Sequence, residues 1–282
     1  MKFKDKGHYY LNGKLMEDFT LAKCREEGGI VSVTTILENY TPPGLVFWKI
    51  DENIECAYDM MPSAFRVQAT LPEFRKMVAD EFYRTHNHLV IGDVFHKAMA
   101  MAISQAVSLD MFNEFWRAHA DTKVWDIVEA AKMAYEWLLE HTEGGKAEVE
   151  VYDKDRFLAG TADYSGRLMD DSGSYLSESG EPAIRGLDWK TKFIKRHPGF
   201  SKKTGEILAL PIKKDPKHPM QLGAYGRVLG WHGGWIINVS TNPDIPAIKP
   251  VYYDGAAIVQ GYQAFGHLNR TFRIMNNFTE GL

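Results

Sequence analysis

The sequence predicts an α+β (mixed α/β) fold with a mixed central sheet, on three observations. Three apolar, β-prone runs at 147–152, 157–164 and 184–189 follow one another, each bounded by Gly, Asp, Ser or Pro, as strands are. Residues 40–142, ahead of them, read almost entirely as helix. Behind them a helical run at 219–229 leads into two more β-prone runs, 235–241 and 248–253, and then a long amphipathic stretch at 255–277. All this fits one domain, with a hairpin and helical part over 1–142 and a sheet core with a closing helix over 143–282.

The N-terminal part starts with a hairpin. Residues 8–15 place Asn12-Gly13 between β-prone neighbours, a strong two-residue turn signal. Ser32, Thr34 and Thr35 offer caps to a short helix carrying Ile36 and Leu37, which Thr41-Pro-Pro-Gly44 ends. Helices follow at 46–58, with Phe47, Trp48, Ile50 and Ile54 as apolar positions, and at 72–86, with Pro72 in its first turn. Phe74, Phe82 and Tyr83 read as core. Further helices are expected at 89–107, 110–119 and 123–141. The last has Val124, Ile127, Val128, Ala131, Tyr135 and Leu138 on one stripe, and Glu143-Gly-Gly145 is expected to end it.

The second half is punctuated as clearly. Asp153 and Asp155 read as turn residues, and 172–180 as a polar loop without chemistry. Residues 192–218 hold eight Lys and Arg against Glu206 and Asp215, interrupted by Pro198, Gly199, Gly205, Pro211 and Pro216. That is a loop-like, strongly basic segment. Asp254 caps the final helix, whose Ile258, Phe265, Leu268, Phe272 and Met275 form a core stripe.

Composition bounds the function. The 282 residues are 45% hydrophobic and 25% charged, ordinary for a globular protein that buries roughly 75% of its unfolded surface. No run of 18 apolar residues and no signal peptide is present, so no membrane and a cytoplasmic location are expected. Two cysteines, Cys24 and Cys56, are too few for a four-cysteine iron–sulfur cluster or a zinc knuckle. The chain has no G-x-x-x-x-G-K-[ST] loop for an ATP motor and no G-x-S-x-G elbow for a serine hydrolase. The net charge of −4 does not itself advertise nucleic acid, which directs attention to the basic segment.

The candidate chemistry lies in acids set into the strands: Glu148, Glu150, Asp163 and Asp188, with Lys190 close behind. Acids are poor strand formers and costly to bury unless paired or bound to a metal. Strand residues two apart share a face, so Asp188 and Lys190 point one way and Trp189 the other, and Glu148 and Glu150 share a face. Taken singly, each acid is an ordinary charge on a solvated strand face. Taken together, carboxylates with a lysine suit metal-assisted phosphodiester cleavage: oxygens hold hard Mg²⁺, and the lysine orients water or stabilises developing charge.

The motifs Gly160-Thr-Ala-Asp163, Asp188-Trp-Lys-Thr191, Gln221-Leu-x-x-Tyr225 and Gly92-x-x-x-His96, with the acidic strand at 147–152, resemble the PD-(D/E)XK nucleases. The branch is that of the RecB-like exonucleases, which includes phage recombination exonucleases and the mitochondrial genome maintenance exonuclease. The resemblance covers about 90–241. It implies a restriction-endonuclease-like core in α-β-β-β-α-β order with a helical N-terminal elaboration that partly roofs the site. It implies a Mg²⁺- or Mn²⁺-dependent exonuclease, with two ions, hydrolysing DNA from its ends in phage or bacterial recombination or repair. A linear DNA entering end-first is the expected partner, with a single-strand annealing or other recombination protein beside it.

Carried onto this chain, the resemblance assigns Asp163, Asp188, Lys190 and Glu148 to catalysis, and His96, Glu148, Asp163, Asp188 and Trp189 to metal. Gly92 lets its helix approach the sheet. Thr191, Lys192, Gln221 and Tyr225 are assigned to the substrate strand, and the basic 192–218 segment, read from its charge and its place directly after Asp188-x-Lys190 as a phosphate-contacting loop, adds Lys202 and Lys203. The family's first acid lies about a dozen residues before the glycine of G-T-x-D, which favours Glu148 and leaves Glu150 as second choice. Two other functions stay open: a structure-specific or restriction-type endonuclease on the same core, and a non-catalytic nucleic-acid-binding module.

Overall fold

Five strands build the central sheet of the computed structural model, which describes residues 7–39, 70–74, 77, 88–118, 127–194 and 215–278. They are β4 (Thr142–Asp153), β5 (Leu158–Leu168), β6 (Arg185–Lys192), β7 (Gly233–Ser240) and β8 (Ile248–Asp254), in the order β4-β5-β6-β7-β8. The β6–β7 pair is parallel and the others antiparallel, so the sheet is mixed as expected. Every residue of β7 is buried, the signature of a central strand covered on both faces.

Each face carries its own helices. On one side lie α1 (Leu21–Glu26), α2 (Val33–Asn39), α6 (Lys217–Leu229) and α7 (Gly255–Met275), with a small sheet of β1 (Tyr9–Leu11), β2 (Lys14–Leu15) and β3 (Ile30–Val31) in the order β2-β1-β3. Their core includes Tyr9, Ile30, Leu222, Ile236 and Phe265. On the other side lie α3 (His88–Gln105), α4 (Leu109–Ala118) and α5 (Val128–His141). That core includes Phe95, Phe112, Tyr135, Leu187, Trp189 and Ile237. With α4 and α5, which come between α3 and β4, set aside, the order α3-β4-β5-β6-α6-β7 is the α-β-β-β-α-β order expected.

Local signals explain most boundaries. Asn12 and Gly13 take φ of 50° and 80°, the left-handed pair that a tight hairpin turn needs. Ser32 Oγ accepts from Thr35 N at 3.1 Å ahead of α2, and Asp254 accepts from Ala257 N at the start of α7. One expectation fails. Glu143-Gly-Gly145 does not form a break after α5, because β4 begins at Thr142, directly after His141. Gly144 and Gly145 pair with Arg167 and Gly166, with a register shift beside Thr142. Small residues suit this irregularity on an edge strand, and Tyr164 lies over Gly145 where a Cβ would be.

The loop before β6 is held by a buried side chain. Arg185 donates to the carbonyls of Leu168, Ser174 and Leu176, to Asp170 Oδ2 and to Tyr252 Oη. The polar 172–180 loop is thereby tied to the strand that carries Asp188. The expected helix at 46–58, most of that at 72–86, Cys56 and the basic stretch with Lys202 and Lys203 lie outside the described residues.

Candidate active site

Five neighbouring elements, β4, β5, β6, α3 and α6, bring the acids and their partners together. On β6, Asp188 is 4% exposed, and its Oδ2 lies 2.6 Å from Lys190 Nζ. Both side chains point to the same face, as their spacing predicts, while Trp189 packs into the opposite core against Phe95. From α6, Gln221 Nε2 donates to Asp188 Oδ1 at 2.7 Å. On β5, Asp163 Oδ2 accepts from the main-chain N–H of Trp189 at 2.7 Å, and Oδ1 lies 3.3 Å from His96 Nδ1 of α3.

Glu148 completes the carboxylates. The pairs Ala147↔Tyr164 and Val149↔Ala162 place it directly across from Asp163. Its φ is 49°, a left-handed conformation rare within a strand and costly for a residue with a Cβ. Glu148 lines the central cavity, and Glu150 is not among the cavity's lining residues. Strand alternation alone gives the two glutamates one face. The backbone twist at Glu148 is a feature that alternation does not predict.

Electrostatics follow from burial and proximity. Burial raises the Asp188 carboxyl to about 6, since Lys190 pulls it down less than burial and Asp163 push it up. Burial would raise Asp163 as well, but the charge and hydrogen bond of His96, with Lys190 and the Trp189 N–H, hold it below its ordinary value. Burial would lower His96 and Lys190. Asp163 and Asp188 outweigh it and hold both above their usual values. Lys190 is therefore a cation at neutral pH, suited to neutralising charge rather than accepting a proton. Burial, then Asp163, raises Glu148. Burial and the two aspartates push Tyr225 well up, so it is a neutral hydroxyl donor.

All these groups border one cavity of about 630 Å³. Its lining includes His96, Glu148, Asp163, Asp188, Lys190, Gln221 and Tyr225, all assigned from the sequence. Gly160 lines it too, and a Cβ there would lie 2.6 Å from Tyr225 Oη. Gly92 sits where α3 crosses β6: a Cβ on it would be 3.1 Å from Thr191 Oγ1. Thr191 and Lys192 are half-buried and are not lining residues. The Trp189 indole is buried in the core on the opposite face of the sheet. It is the Trp189 main chain that meets the site, through Asp163.

Sequence reasoning missed one wall of the cavity. His8, Tyr10 and Leu15, with Ser32 and Thr34, line it from the N-terminal sheet and its exit. No motif marks them, and Tyr10 reaches Thr161 across 151 positions of chain. Asp93, Lys97 and Ala100 line it from α3. Asp93 and Ala100, three before and four after His96, follow from it by helical spacing and were within reach of the sequence, while Lys97 follows from Asp93, four positions earlier.

Among the described residues, no three His, Cys, Asp or Glu side chains form a ready metal cluster. The aspartates are instead engaged by Lys190, Gln221, His96 and the Trp189 N–H. The donor set nevertheless suits a hard cation. Glu148, Asp163 and Asp188 offer oxygens to one cavity, His96 offers a nitrogen, and the buried Asp188 Oδ2 has its ion pair but no well-directed hydrogen bond.

No family model and no curated protein matches the chain. Among solved structures it is similar to the crystal structure of SSO0001, with 18% identity, covering 63% of this chain and 74% of that one, at a TM-score of 0.24. A likeness that low carries no argument about function.

Proposed function

We propose that this protein is a divalent-metal-dependent DNA exonuclease that hydrolyses phosphodiester bonds from DNA ends, in phage or bacterial recombination or repair. The observation that carries the reading is the meeting of Glu148, Asp163, Asp188 and Lys190 in one cavity. Three carboxylates beside a half-buried lysine are costly to assemble, and phosphodiester hydrolysis uses them all. Asp163, Asp188 and Glu148, with His96 beside them, would hold Mg²⁺ or Mn²⁺, which supplies charge neutralisation at the phosphate and a more acidic water.

This chain's own residues do the rest. Gln221 and Lys190 fix the two oxygens of Asp188. The Trp189 N–H and His96 orient Asp163. Lys190, held as a cation, stabilises negative charge on the phosphate as the bond breaks. Tyr225 and Thr161 present hydroxyl donors to the same strand. Attack from an end is favoured because α3 flanks the cavity on one side and the N-terminal sheet on another. A chain terminus enters such a cleft more readily than a continuous duplex.

The test compares linear and covalently closed circular DNA of one sequence, with Mg²⁺, with Mn²⁺ and with chelator. Linear DNA should shorten progressively from an end, circles should survive, and chelator or Asp188→Ala should abolish cleavage. Rapid cutting of circles by wild type but not by Asp188→Ala would replace this reading with an endonuclease. Equal activity of wild type and Asp188→Ala would remove Asp188 from the chemistry.

A further inference from the structure

The N-terminal sheet stands apart from every sequence motif, yet it forms a wall of the cavity. It is no loose appendage. Tyr9 and Tyr10 are 1% and 5% exposed, and Ile30, Val31 and Cys24 are buried in the same core as α6 and α7. Ser32 bridges Ala159, the residue before Gly160, in parallel, and Ser32 N donates to His8 O at 2.9 Å. The wall is thus fixed to the strand that carries Asp163.

Beside His8 and Leu15, what the wall presents is a set of hydroxyls. Tyr10 Oη lies 3.5 Å from Thr161 Oγ1, a long contact that leaves both hydroxyls capacity for a ligand. Ser32 Oγ donates to Thr35 Oγ1 at 2.8 Å and lies 3.0 Å from Thr34 Oγ1, which lines the cavity. Tyr10, Ser32, Thr34 and Thr161 are neutral donors and acceptors that share the cavity with Glu148. Lysine or arginine there would pair with the carboxylates, as Lys190 does. Neutral hydroxyls do not compete for them, and they bond sugar and phosphate oxygens without reading sequence.

We propose that this wall is a substrate subsite: Tyr10, Thr34 and Thr161 hold the sugar–phosphate of a single DNA strand next to the bond that is cut. The strand preference comes from the dimensions. The cavity's 630 Å³ lies within the range of roughly 300–1,000 Å³ for pockets that enclose one small ligand. With α3 on another side, the described walls match a nucleotide or two of one strand rather than a paired duplex. The inference rests on the nuclease reading for its substrate class, and its test is binding rather than turnover.

The probe is a fluorescein-labelled twelve-nucleotide oligothymidylate, free or annealed to its complement, followed by anisotropy in chelator so that nothing is cleaved. The free strand should bind at least about tenfold more tightly than the duplex. Tyr10→Phe with Thr34→Val keeps the buried ring and the branched side chain while removing two hydroxyls. It should weaken single-strand binding about tenfold, leave duplex binding unchanged and leave the thermal midpoint near wild type. Equal affinity for strand and duplex, no detectable single-strand binding, or unchanged binding by the double variant each overturns the proposal. Turnover by wild type and Asp188→Ala is scored separately, so an inert protein that still binds through Tyr10 would defeat the nuclease reading and not this one.

Discussion

Asp188 shows at the residue scale what the site costs the fold. Its carboxyl is raised to about 6 against an ordinary 3.8, first by burial and then by Asp163. The unfolded chain therefore releases this proton at lower pH than the folded chain does. Between those values the folded state binds more protons, so this group's contribution to stability falls as pH rises from about 4 to about 6. Above that range the ionised Asp188 costs on the order of 3 kcal/mol. Asp188→Asn, assayed in chelator, should raise the thermal midpoint at pH 7.5 by several degrees, and the gain should shrink as the pH approaches 4. A variant less stable than wild type at pH 7.5 would show that Asp188 is a net stabilising partner of Lys190. The same substitution should abolish cleavage, so that stability is gained where function is given up.

At the scale of elements, the site is a meeting of β5 and α6. Gly160 of β5 faces Tyr225, which is 1% exposed and has nowhere to retreat. Gly223 and Gly261 let α6 and α7 approach until a Cβ on either would meet the other helix's backbone. Gly160→Ala should cost about 1–3 kcal/mol, as overpacking does, and should slow cleavage by displacing Tyr225 from the cavity. Tyr225→Phe removes the oxygen nearest the new methyl. Combined with Gly160→Ala, it should recover part of the stability in a double-mutant cycle. Additive losses would mean that the two residues do not press on each other. Gly160 was visible in the sequence as part of a motif. Its reason was not, because Tyr225 lies 65 positions later in the chain and nothing in either segment announces the contact.

For the whole molecule, the proposed function raises the question of how a chain of net charge −4 would hold a polyanion beside three carboxylates. The surplus of positive charge lies in 192–218, which directly follows the strand of Asp188 and Lys190. If those lysines bind phosphates, replacing Lys202 and Lys203 with glutamine should weaken DNA binding whatever the sequence. The slope of log K against log[salt] should become shallower by roughly 0.7–0.9 for each phosphate that is no longer neutralised. An unchanged slope would mark them as merely solvated charges. The halves depend on each other too: the sheet supplies the acids, and the N-terminal elements and α3 supply the walls that close a cavity around them.

Read by itself, the chain determined the class of fold, the order of the elements from α3 onward and most of the candidate site; α1 and β3 carried no signal that was read. Strand and helix periodicity are local, and so are the turn at Asn12-Gly13, the caps at Ser32 and Asp254, and the shared face of Asp188 and Lys190. Each is set by neighbours within a few residues. Local rules failed where a neighbour lay elsewhere in the chain. Gly144 and Gly145 read as a helix stop and became edge strand, because β5 was there to pair with them. Glu148 and Glu150 were equivalent by alternation until the left-handed backbone at Glu148 and the facing Asp163 separated them. Tyr10 and Thr34 reached the site only because β1 and β3 pack over β5. Only the tertiary structure decided these points, since burial and long-range pairing depend on which distant segments share a core, and no local pattern encodes that.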